Sequence, residues 1–323
     1  MSTRELSPDW FKSAVVYQIY PRSFADSNGD GYGDVPGIIS KLDYLKTLGV
    51  DVIWLSPIYK SPQDDNGYDI SDYQDIDPMF GSLEQVRRLF DEVHTRGMKI
   101  VMDLVVNHSS DEHAWFVESA SSKDNPKADW YIWSDEADDL YAYFGGGAWE
   151  WVEARQQYYF HQFSKKQPDL NWENDDVRAA VYKMMNWWVE QGVDGFRMDV
   201  INLISKDWSK KDQGTWQMCQ NGPRVNEWLQ EMNREVLAGK NLITVGEMPG
   251  CTIEHARDYT DPNRNELNMV FTFEHMDLDG TVGMSKFDYS KMHLPDLKAN
   301  LNKWQKGLES VGWNSLYWNN HDQ

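Results

Sequence analysis

The sequence has few of the features that mark secreted, membrane-bound or nucleic-acid-binding proteins. Its 323 residues include two cysteines, Cys219 and Cys251, too few for a disulfide framework and without metal-site spacing. No apolar run approaches membrane-spanning length, and the polar stretch from Met1 to Phe11 lacks the apolar core of a secretory signal. Basic residues number 31 against 52 acidic ones, and a net charge of -21 disfavours nucleic acid and anionic membranes as partners. We therefore expect a soluble, cytoplasmic protein.

The dominant pattern in the chain is a short apolar strand followed by an amphipathic helix. Helical spacing of apolar residues follows the capping-box sequence that begins at Ser82, and it ends near Gly97. No Gly-x-Gly-x-x-Gly turn follows the first strand, which weakens the case for a dinucleotide-binding sheet. The alternation predicts an α/β fold, a (β/α)8 TIM barrel. Its predicted strands lie at 15–20, 52–55, 100–105, 195–198, 242–245, 269–271 and 315–318.

The alternation of strands and helices stops after the third strand and resumes near residue 176. The intervening polar and aromatic stretch is too long for a plain connection and predicts an inserted small domain. We therefore divide the chain into a first barrel part (1–106), an inserted B domain (107–175) and a second barrel part (176–323). A barrel with only strands one to seven leaves open sheet edges, so we expect a longer enzyme that supplies strand eight and a C-terminal β-domain.

Charged residues stand at the carboxyl ends of several predicted strands, where barrel enzymes place their catalytic groups. A single one of them could be an ordinary loop charge, but three carboxylates and an arginine on successive strands suit glycoside hydrolysis. Arg197 would keep Asp199 ionised, and nearby carboxylates would raise the pKa of Glu247. The residues are His108 after strand three, Arg197 and Asp199 at strand four, Glu247 at strand five, and His321 and Asp322 after strand seven.

Four stretches resemble the signature regions of the α-amylase superfamily, glycoside hydrolase family 13, in order and spacing. The resemblance implies a retaining double displacement with Asp199 as nucleophile, Glu247 as general acid/base and Asp322 as transition-state stabiliser. It also implies that Asp103 supports Arg197. The stretches are Asp103-Leu-Val-Val-Asn-His108, Gly195-Phe-Arg-Met-Asp199, Gly246-Glu-Met-Pro-Gly250 and Asn320-His-Asp322.

The same resemblance implies a set of substrate-binding residues. Arg197, His108 and His321 are expected to contact the sugar at the cleavage subsite or the nucleophile. The stretch Asp65-Asn-Gly-Tyr68 matches exo-acting members, which implies that Asp65 binds the hydroxyls of the terminal glucose and Tyr68 stacks beneath it. The alternative for this stretch is a plain Asn-Gly turn. The substrate is therefore expected to be a small oligosaccharide.

Three further stretches bear on linkage preference. Gln167-Pro-Asp-Leu-Asn171 resembles the fifth conserved region of oligo-1,6-glucosidases, and Val200 resembles the residue that accompanies α-1,6 preference. A β-branched side chain at this point disfavours the α-1,4 approach, although a methyl-sized difference gives only modest selectivity. Asn202 and Leu203 replace the Lys-His pair of endo-acting α-amylases, which counts against cleavage of long starch. We expect hydrolysis of isomaltose and isomalto-oligosaccharides.

An acidic, glycine-containing loop near the N-terminus reproduces the start of an EF-hand calcium loop. The bidentate glutamate of an EF-hand is absent, since Gly37 stands at its position, and the alternative is a tight Asp/Gly turn. Related glucosidases carry one Ca²⁺ at a matching loop, so a structural Ca²⁺ is predicted and no organic cofactor is expected. The predicted ligands are Asp26, Asn28, Asp30, the carbonyl of Tyr32, and Asp34.

Several other functions fit the same pattern of residues. An α-1,4-glucosidase (maltase), a dextran glucosidase, a trehalose-6-phosphate hydrolase and a sucrose isomerase could all use this constellation, because such enzymes differ in their pocket loops. A non-catalytic interaction module is a further alternative, disfavoured by the presence of all three acids. A barrel that lacks its eighth strand could also be inactive.

Overall fold

A computed structural model of the chain describes residues 9–280 and 291–322. The strands are β1 (Val16–Ile19), β2 (Val52–Leu55), β3 (Tyr59–Lys60), β4 (Asp72–Ile76), β5 (Lys99–Leu104), β6 (Trp133–Ser134), β7 (Trp149–Val152), β8 (Gln157–Phe160), β9 (Gly195–Met198), β10 (Ile243–Glu247) and β11 (Met269–Phe271). The α-helices are α1 (Pro21–Phe24), α2 (Val35–Ser40), α3 (Leu42–Leu48), α4 (Leu83–Thr95), α5 (Ala114–Ser121), α6 (Asp175–Gln191), α7 (Thr215–Cys219), α8 (Val225–Met232), α9 (Ile253–Thr260) and α10 (Leu294–Leu308). Short 3-10 segments lie at Trp10–Ser13, Ile201–Leu203 and Trp208–Gln213, and a π-helical turn at Asn233–Leu237. None of the helices within the described ranges has both the length and the apolar character needed to span a bilayer.

Six of the described strands form a parallel sheet in the order β1-β2-β5-β9-β10-β11. Each of these strands pairs with the next one along the chain, as in a barrel whose closing strands are not among the described residues. In the β9–β10 pair, Met198 lies opposite Gly246, so Asp199 and Glu247 come next on neighbouring strands. The sheet thus brings the carboxyl ends of successive strands to one edge.

Helix α4 shows how local sequence defines an element and its buried face. The Ser82 side chain accepts from the Gln85 backbone N–H, and the Gln85 side chain accepts from the Ser82 N–H, which confirms the predicted capping box. Val86, Phe90 and Val93 then recur at helical spacing and are buried against the sheet. The helix therefore has a fixed start and a fixed orientation.

Strand β9 begins at a glycine that allows close approach of its neighbour. Gly195 has a φ of 151°, and a Cβ built on it would lie 1.9 Å from the carbonyl oxygen of Ile243. Any side chain at this position would force β9 and β10 apart. The glycine therefore fixes the spacing of the two strands that carry Asp199 and Glu247.

The predicted seventh strand, residues 315–318, is not formed as a strand. A single parallel bridge joins Asn314 to Val270, and the Ser315 N–H donates to the Val270 carbonyl at 2.8 Å. Beyond that bridge, Leu316 and Trp318 are 56% and 61% exposed. The prediction was wrong here because these side chains have no apolar face to cover, so burial does not stabilise an extended ladder.

The stretch between β5 and α6 contains α5 and a small antiparallel sheet in the order β6-β8-β7. It lies inside the predicted insertion at 107–175, but it shares its interior with the barrel. Phe116, Tyr131 and Leu170 belong to the same buried cluster as Leu104 and Phe196 of the barrel strands. The division of the chain into domains therefore stays a prediction.

Candidate active site

A cavity of about 330 Å³ opens at the carboxyl ends of the parallel strands. Asp199 directly follows β9, Glu247 is the last residue of β10, and Asp322 lies in the segment after the Asn314 bridge. All three acids line this cavity, because parallel strands present their carboxyl ends at the same edge of a sheet. The described lining consists of Tyr20, Asp65, Asn66, Tyr68, His108, Tyr143, Phe144, Phe163, Asp199, Val200, Leu203, Trp216, Glu247, Pro249, Phe273, His321 and Asp322.

The cavity also collects the predicted substrate-binding residues. Asp65, Tyr68, His108, Val200 and His321 all line it. The remaining predicted residue, Arg197 of β9, is buried directly beneath the three acids. The structure therefore brings the predicted catalytic and sugar-binding residues together, while the predicted calcium ligands lie outside this lining.

Arg197 of β9 forms the electrostatic centre of the site. Its guanidinium is 2% exposed, and its Nη1 lies 2.8 Å from Asp103 Oδ1 and 2.7 Å from Asp199 Oδ1. Its Nη2 lies 2.7 Å from Glu247 Oε2, but it is not aligned for a hydrogen bond. One buried cation therefore forms ion pairs with three carboxylates, and it donates hydrogen bonds to two of them, Asp103 and Asp199.

Asp199 and Glu247 share this cation, so the protonation of one acid depends on the charge of the other. Burial raises the pKa of Asp199 and of Glu247 above ordinary carboxyl values, and the charge of Arg197 opposes the rise in both. The charge of Glu247 further raises the pKa of Asp199, and that of Asp322 raises the pKa of Glu247. Such a pair keeps one proton in preference to ionising fully. The hydrogen bond from Arg197 favours the ionised form of Asp199, and the Val200 N–H favours that of Glu247.

Asp103, below the cavity, holds both Arg197 and the sugar-facing Tyr68. The hydroxyl of Tyr68 and the indole N–H of Trp54 each donate to Asp103 Oδ2 at 3.0 Å. The ring of His321 stacks on Tyr68, with centroids 5.2 Å apart and planes 5° apart. Asp103 therefore fixes the floor of the site from a fully buried position.

A second group of polar residues lies around Asp65. Gln167 donates its side-chain amide to Asp65 Oδ2 at 2.8 Å, and His108 Nε2 lies 3.1 Å from the carbonyl of Tyr68. Burial raises the pKa of Asp65 to about 6, although the Gln167 hydrogen bond opposes the rise. Burial also lowers the pKa of His108 to about 4, so the ring is neutral near pH 7. These groups present hydrogen-bonding atoms suited to sugar hydroxyls.

Val200 has a backbone conformation that its sequence does not predict. Its φ of 34° and ψ of 41° lie in the left-handed region, which a β-branched residue rarely adopts. In this conformation its N–H donates to Glu247 Oε2 at 3.0 Å. The residue after Asp199 therefore also holds Glu247, through its backbone.

The sequence did not identify an aromatic rim around the cavity. Tyr143, Phe144, Phe163 and Trp216 line the cavity, and their rings pack edge to face with centroids 5.1–5.5 Å apart. Phe144 and Trp216 remain 63% and 42% exposed. The aromatic content of 14% was a general signal for such residues, but nothing in their spacing located them.

The predicted calcium loop is coiled around Asp26. Oδ1 of Asp26 accepts from the backbone N–H groups of Asn28 and Gly29 at 3.0 and 2.7 Å, and Oδ2 accepts from that of Gly31 at 2.9 Å. These bonds lower the pKa of Asp26, chiefly through Gly31 and Gly29. The loop thus presents an ionised carboxylate with its backbone already turned around it.

The predicted ligand set is only partly gathered in this loop. Within the described ranges, no group of three or more His, Cys, Asp or Glu side chains is arranged to hold a metal ion. The reason is that Asp34 caps α2, where its Oδ1 accepts from the Gly37 N–H at 2.7 Å. Asn28 and Asp30, whose side chains lie 3.0 Å apart, supply the oxygen chemistry that Ca²⁺ prefers. The donor set fits calcium in kind, while both carboxylate oxygens of Asp34 are already hydrogen-bonded, Oδ1 to the Gly37 N–H and Oδ2 to the Ser27 hydroxyl.

The sequence of the chain matches a known protein family. The family model described as alpha amylase, catalytic domain, matches residues 18–323. The chain belongs to the alpha-amylase family. The predicted family membership is therefore confirmed.

Curated members of the alpha-amylase family resemble the chain along nearly its whole length. An oligo-1,6-glucosidase of Parageobacillus thermoglucosidasius is 60% identical over 328 residues, covering 97% of this chain and 58% of that protein. A glucan 1,6-alpha-glucosidase of Streptococcus pneumoniae is 54% identical over 316 residues, with the same two coverages. The chain thus spans about 58% of the length of these curated relatives.

Solved alpha-amylase family structures share the fold. Trehalose-6-phosphate hydrolase of Bacillus licheniformis superposes with a TM-score of 0.94 at 49% identity, covering 97% of this chain and 58% of that one. Trehalulose synthase of Pseudomonas mesoacidophila superposes with a TM-score of 0.91 at 40% identity and the same coverages. The predicted barrel class is confirmed.

Proposed function

We propose that this chain carries the reacting groups of a retaining, exo-acting α-glucosidase that removes terminal α-1,6-linked glucose from isomaltose and isomalto-oligosaccharides. The observation that carries the proposal is the pair Asp199 and Glu247, both 2.7 Å from the guanidinium of Arg197 in one buried pocket. Asp322 lines the same pocket. Retaining glycosidases require two carboxyl groups about 5–5.5 Å apart, one ionised and one protonated.

The first step of the proposed reaction forms a glucosyl–enzyme ester. Asp199, kept ionised by its hydrogen bond from Arg197, attacks the anomeric carbon of the terminal glucose. Glu247 gives its proton to the glycosidic oxygen as the C–O bond breaks, and the shortened sugar leaves with a hydroxyl group. Asp322 stabilises the distorted, partly positive sugar ring from the other side of the pocket.

The second step hydrolyses that ester. Glu247, now a carboxylate, takes a proton from a water molecule whose oxygen attacks the anomeric carbon. The bond to Asp199 breaks, and glucose leaves with its original α configuration because the carbon is inverted twice. The N–H of Val200, bonded to Glu247 Oε2, keeps this residue oriented in both steps.

Removal of single terminal glucose units is supported by the polar groups at one side of the cavity. Asp65 is held by Gln167, and His108 is held by the Tyr68 carbonyl. A closed set of hydrogen-bonding partners favours a terminal sugar, whose free hydroxyls can satisfy them. We expect Asp65→Asn to raise KM for isomaltose and to leave the Tm nearly unchanged.

The preference for α-1,6 links is supported by Val200, which lines the cavity, and by the resemblance to an oligo-1,6-glucosidase and a glucan 1,6-alpha-glucosidase. A phosphorylated disaccharide is disfavoured, because no lysine or arginine is among the described residues that line the cavity. The rate of glucose release from isomaltose, maltose, sucrose and trehalose 6-phosphate tests this. We expect isomaltose to react fastest; a faster rate on maltose or on trehalose 6-phosphate contradicts the linkage proposal.

A structural Ca²⁺ at the loop of residues 26–34 is part of the proposal and takes no part in the reaction. Its support is the all-oxygen donor set and the preformed turn around Asp26. Calcium at about 100 times its Kd should add about 2.7 kcal/mol to the free energy of unfolding. Thermal unfolding with Ca²⁺ or with EDTA measures this, and Asp26→Asn should abolish the difference. A Tm that is independent of calcium in both proteins contradicts the site.

We also propose that the enzyme acts in the cytoplasm on a small, freely diffusing oligosaccharide. Fractionation of the producing cell tests the location. Activity found mainly in the culture medium contradicts it.

A further inference from the structure

Lys206 is a buried cation next to the active site that the reaction scheme does not use. Its side chain is 3% exposed, and it lies seven residues after Asp199 along the chain. The Nζ atom lies 2.8 Å from Asp169 Oδ2, 2.8 Å from Asn107 Oδ1 and 2.6 Å from the Leu203 carbonyl. Two of the three N–H donors of this ammonium group have hydrogen-bond acceptors, Asn107 Oδ1 and the Leu203 carbonyl, and Asp169 adds an ion-pair contact.

The three partners come from three separate segments that frame the cavity. Leu203 belongs to the turn that follows Asp199 and itself lines the cavity. Asn107 adjoins His108, and its amide lies 3.3 Å from His108 Nδ1. Asp169 lies two residues after Gln167, the residue that holds Asp65. One ammonium group therefore ties together the turn after the nucleophile and the segments that carry two sugar-facing residues.

The partners of Lys206 are themselves fixed from the opposite side. Asp169 is fully buried, and its Oδ1 accepts from the Gln162 backbone N–H at 2.9 Å. The Gln162 side chain donates to Asn107 Oδ1 at 3.0 Å. A charged hydrogen bond in such a water-free setting holds its partners strongly, and removal of one partner leaves the other charge buried and unpaired.

Lys206 can act on the reaction only through other residues, because it is not part of the cavity lining. The turn it holds includes Val200, whose left-handed backbone directs its N–H to Glu247, and Leu203, whose N–H donates to the Val200 carbonyl at 2.8 Å. Without the bond to the Leu203 carbonyl, the strained conformation of Val200 loses the support that keeps it in place.

We propose that Lys206 is a positioning residue that holds the turn from Asp199 to Leu203 in its reactive conformation. Its kinetic consequences rest on the proposed function, but its effect on the turn does not. Displacement of reacting groups by about 1 Å can cost on the order of 100-fold in rate. We therefore expect Lys206→Met to lower kcat on isomaltose by about 100-fold with KM changed less than threefold.

Hydrogen exchange tests the structural part directly. In Lys206→Met, the amides of Val200 and Leu203 should exchange at least about tenfold faster than in the unchanged chain, because the turn that carries them is no longer held at the Leu203 carbonyl. Lys99→Met is the matched control: Lys99 pairs with Asp194 at 2.7 Å, at the opposite end of the same strands. It should leave these amides unaffected. Unchanged exchange at Val200 and Leu203 in Lys206→Met overturns the proposal.

Rescue by azide separates a positioning role from a general loss of stability. In an Asp199→Gly background, azide attacks the anomeric carbon of p-nitrophenyl α-glucoside, p-nitrophenolate leaves, and β-glucosyl azide forms. This route needs neither the Asp199 carboxylate nor a proton from Glu247. Lys206→Met should therefore change the azide-dependent rate by less than about threefold. A loss of about 100-fold in both backgrounds overturns the positioning role.

Two further variants keep the proposal testable. If Lys206→Met does not fold, Lys206→Gln, which keeps an amide donor, replaces it in both measurements with the same expected results. Lys206→Arg retains the charge and should recover at least about tenfold of the lost kcat; no recovery counts against the ammonium contacts. If the unchanged chain cleaves none of the α-glucosides tested, the proposed function fails, while the exchange data still decide whether Lys206 holds the turn.

Discussion

Replacement of Arg197 by methionine is the most direct test of the charge arrangement in the site. The guanidinium lies 2.7–2.8 Å from oxygens of Asp103, Asp199 and Glu247. Methionine keeps much of the apolar side-chain volume and removes the charge, whose guanidinium carbon lies 4.9 Å from the centre of the Trp54 ring. The predicted consequence is that the buried carboxylates retain protons to higher pH.

The size of this effect follows from the contacts. Two unit charges about 4 Å apart at an effective dielectric constant of about 20 attract by about 4 kcal/mol, which corresponds to about 3 pKa units. Observed shifts for an aspartate beside an arginine are about 1–3 units. We therefore expect the pKa of Asp199, already raised by burial, to rise by about 2 further units.

The direction in which the pH profile moves follows from the proposed role of Asp199. As the proposed nucleophile, Asp199 works ionised, so activity should be lost as the pH falls through its pKa, and a higher pKa should move that loss to higher pH. In Arg197→Met the acid limb of the kcat/KM profile on isomaltose should move up by about 2 units. At any pH below the raised pKa, kcat/KM should fall by about tenfold for each further unit, because only the ionised fraction of Asp199 reacts.

Arg178→Met provides the matched control. Arg178 is also buried, with 8% of its side chain exposed, and its Nε lies 2.9 Å from Glu231 Oε2, but it is not among the described residues of the cavity. Its loss should lower the Tm and leave the acid limb in place. An acid limb in Arg197→Met that coincides with that of the unchanged chain would refute the assignment of Arg197 as the group that keeps Asp199 ionised.

Three more changes give distinct outcomes. Glu247→Gln should lower kcat on isomaltose by about 10²–10⁴-fold while p-nitrophenyl α-glucoside, whose leaving group needs no proton, still gives a rapid first burst of p-nitrophenolate; absence of that burst contradicts the acid role. Gln167→Ala removes a hydrogen bond that lowers the pKa of Asp65, which is about 6 with this bond in place. Its loss raises that pKa, so the rise in KM at acid pH should begin at higher pH; a KM profile that does not move counts against Asp65 as a sugar ligand. Val200→Thr should raise the ratio of maltose to isomaltose cleavage by about tenfold or more, and an unchanged ratio contradicts the selectivity attributed to Val200.

Much of the barrel could be predicted because its strands are short, buried and apolar. Val52–Leu55 and Gly195–Met198 are buried at every position, and each is followed or preceded by a helix with one apolar face. The three acids could be placed at one edge for the same reason, since each follows a strand or the bridge that replaces one. The seventh strand could not be predicted, because Leu316 and Trp318 have the composition of a strand and lack a surface to cover.

Contacts between distant segments could not be predicted from the sequence. Lys206 and Asp169 are separated by 37 positions, and nothing in their local pattern indicates that they meet. The left-handed backbone conformation of Val200 could not be predicted either, because valine disfavours that conformation and only the surrounding turn imposes it. Local propensity therefore predicts the elements, while the fine geometry of the site depends on packing that joins several of them.

The pairing of β9 with β10 has a stereochemical consequence. Asp199 and Glu247 come one position after the Met198–Gly246 pair, on strands drawn together at Gly195. Neighbouring strands lie about 4.7–4.9 Å apart, close to the span that a double-inversion mechanism needs between its two acids. In the proposed reaction the retention of configuration therefore depends on this strand pairing, and a one-residue insertion within β10 would turn Glu247 to the opposite face of the sheet and abolish the proposed activity without altering any reacting side chain.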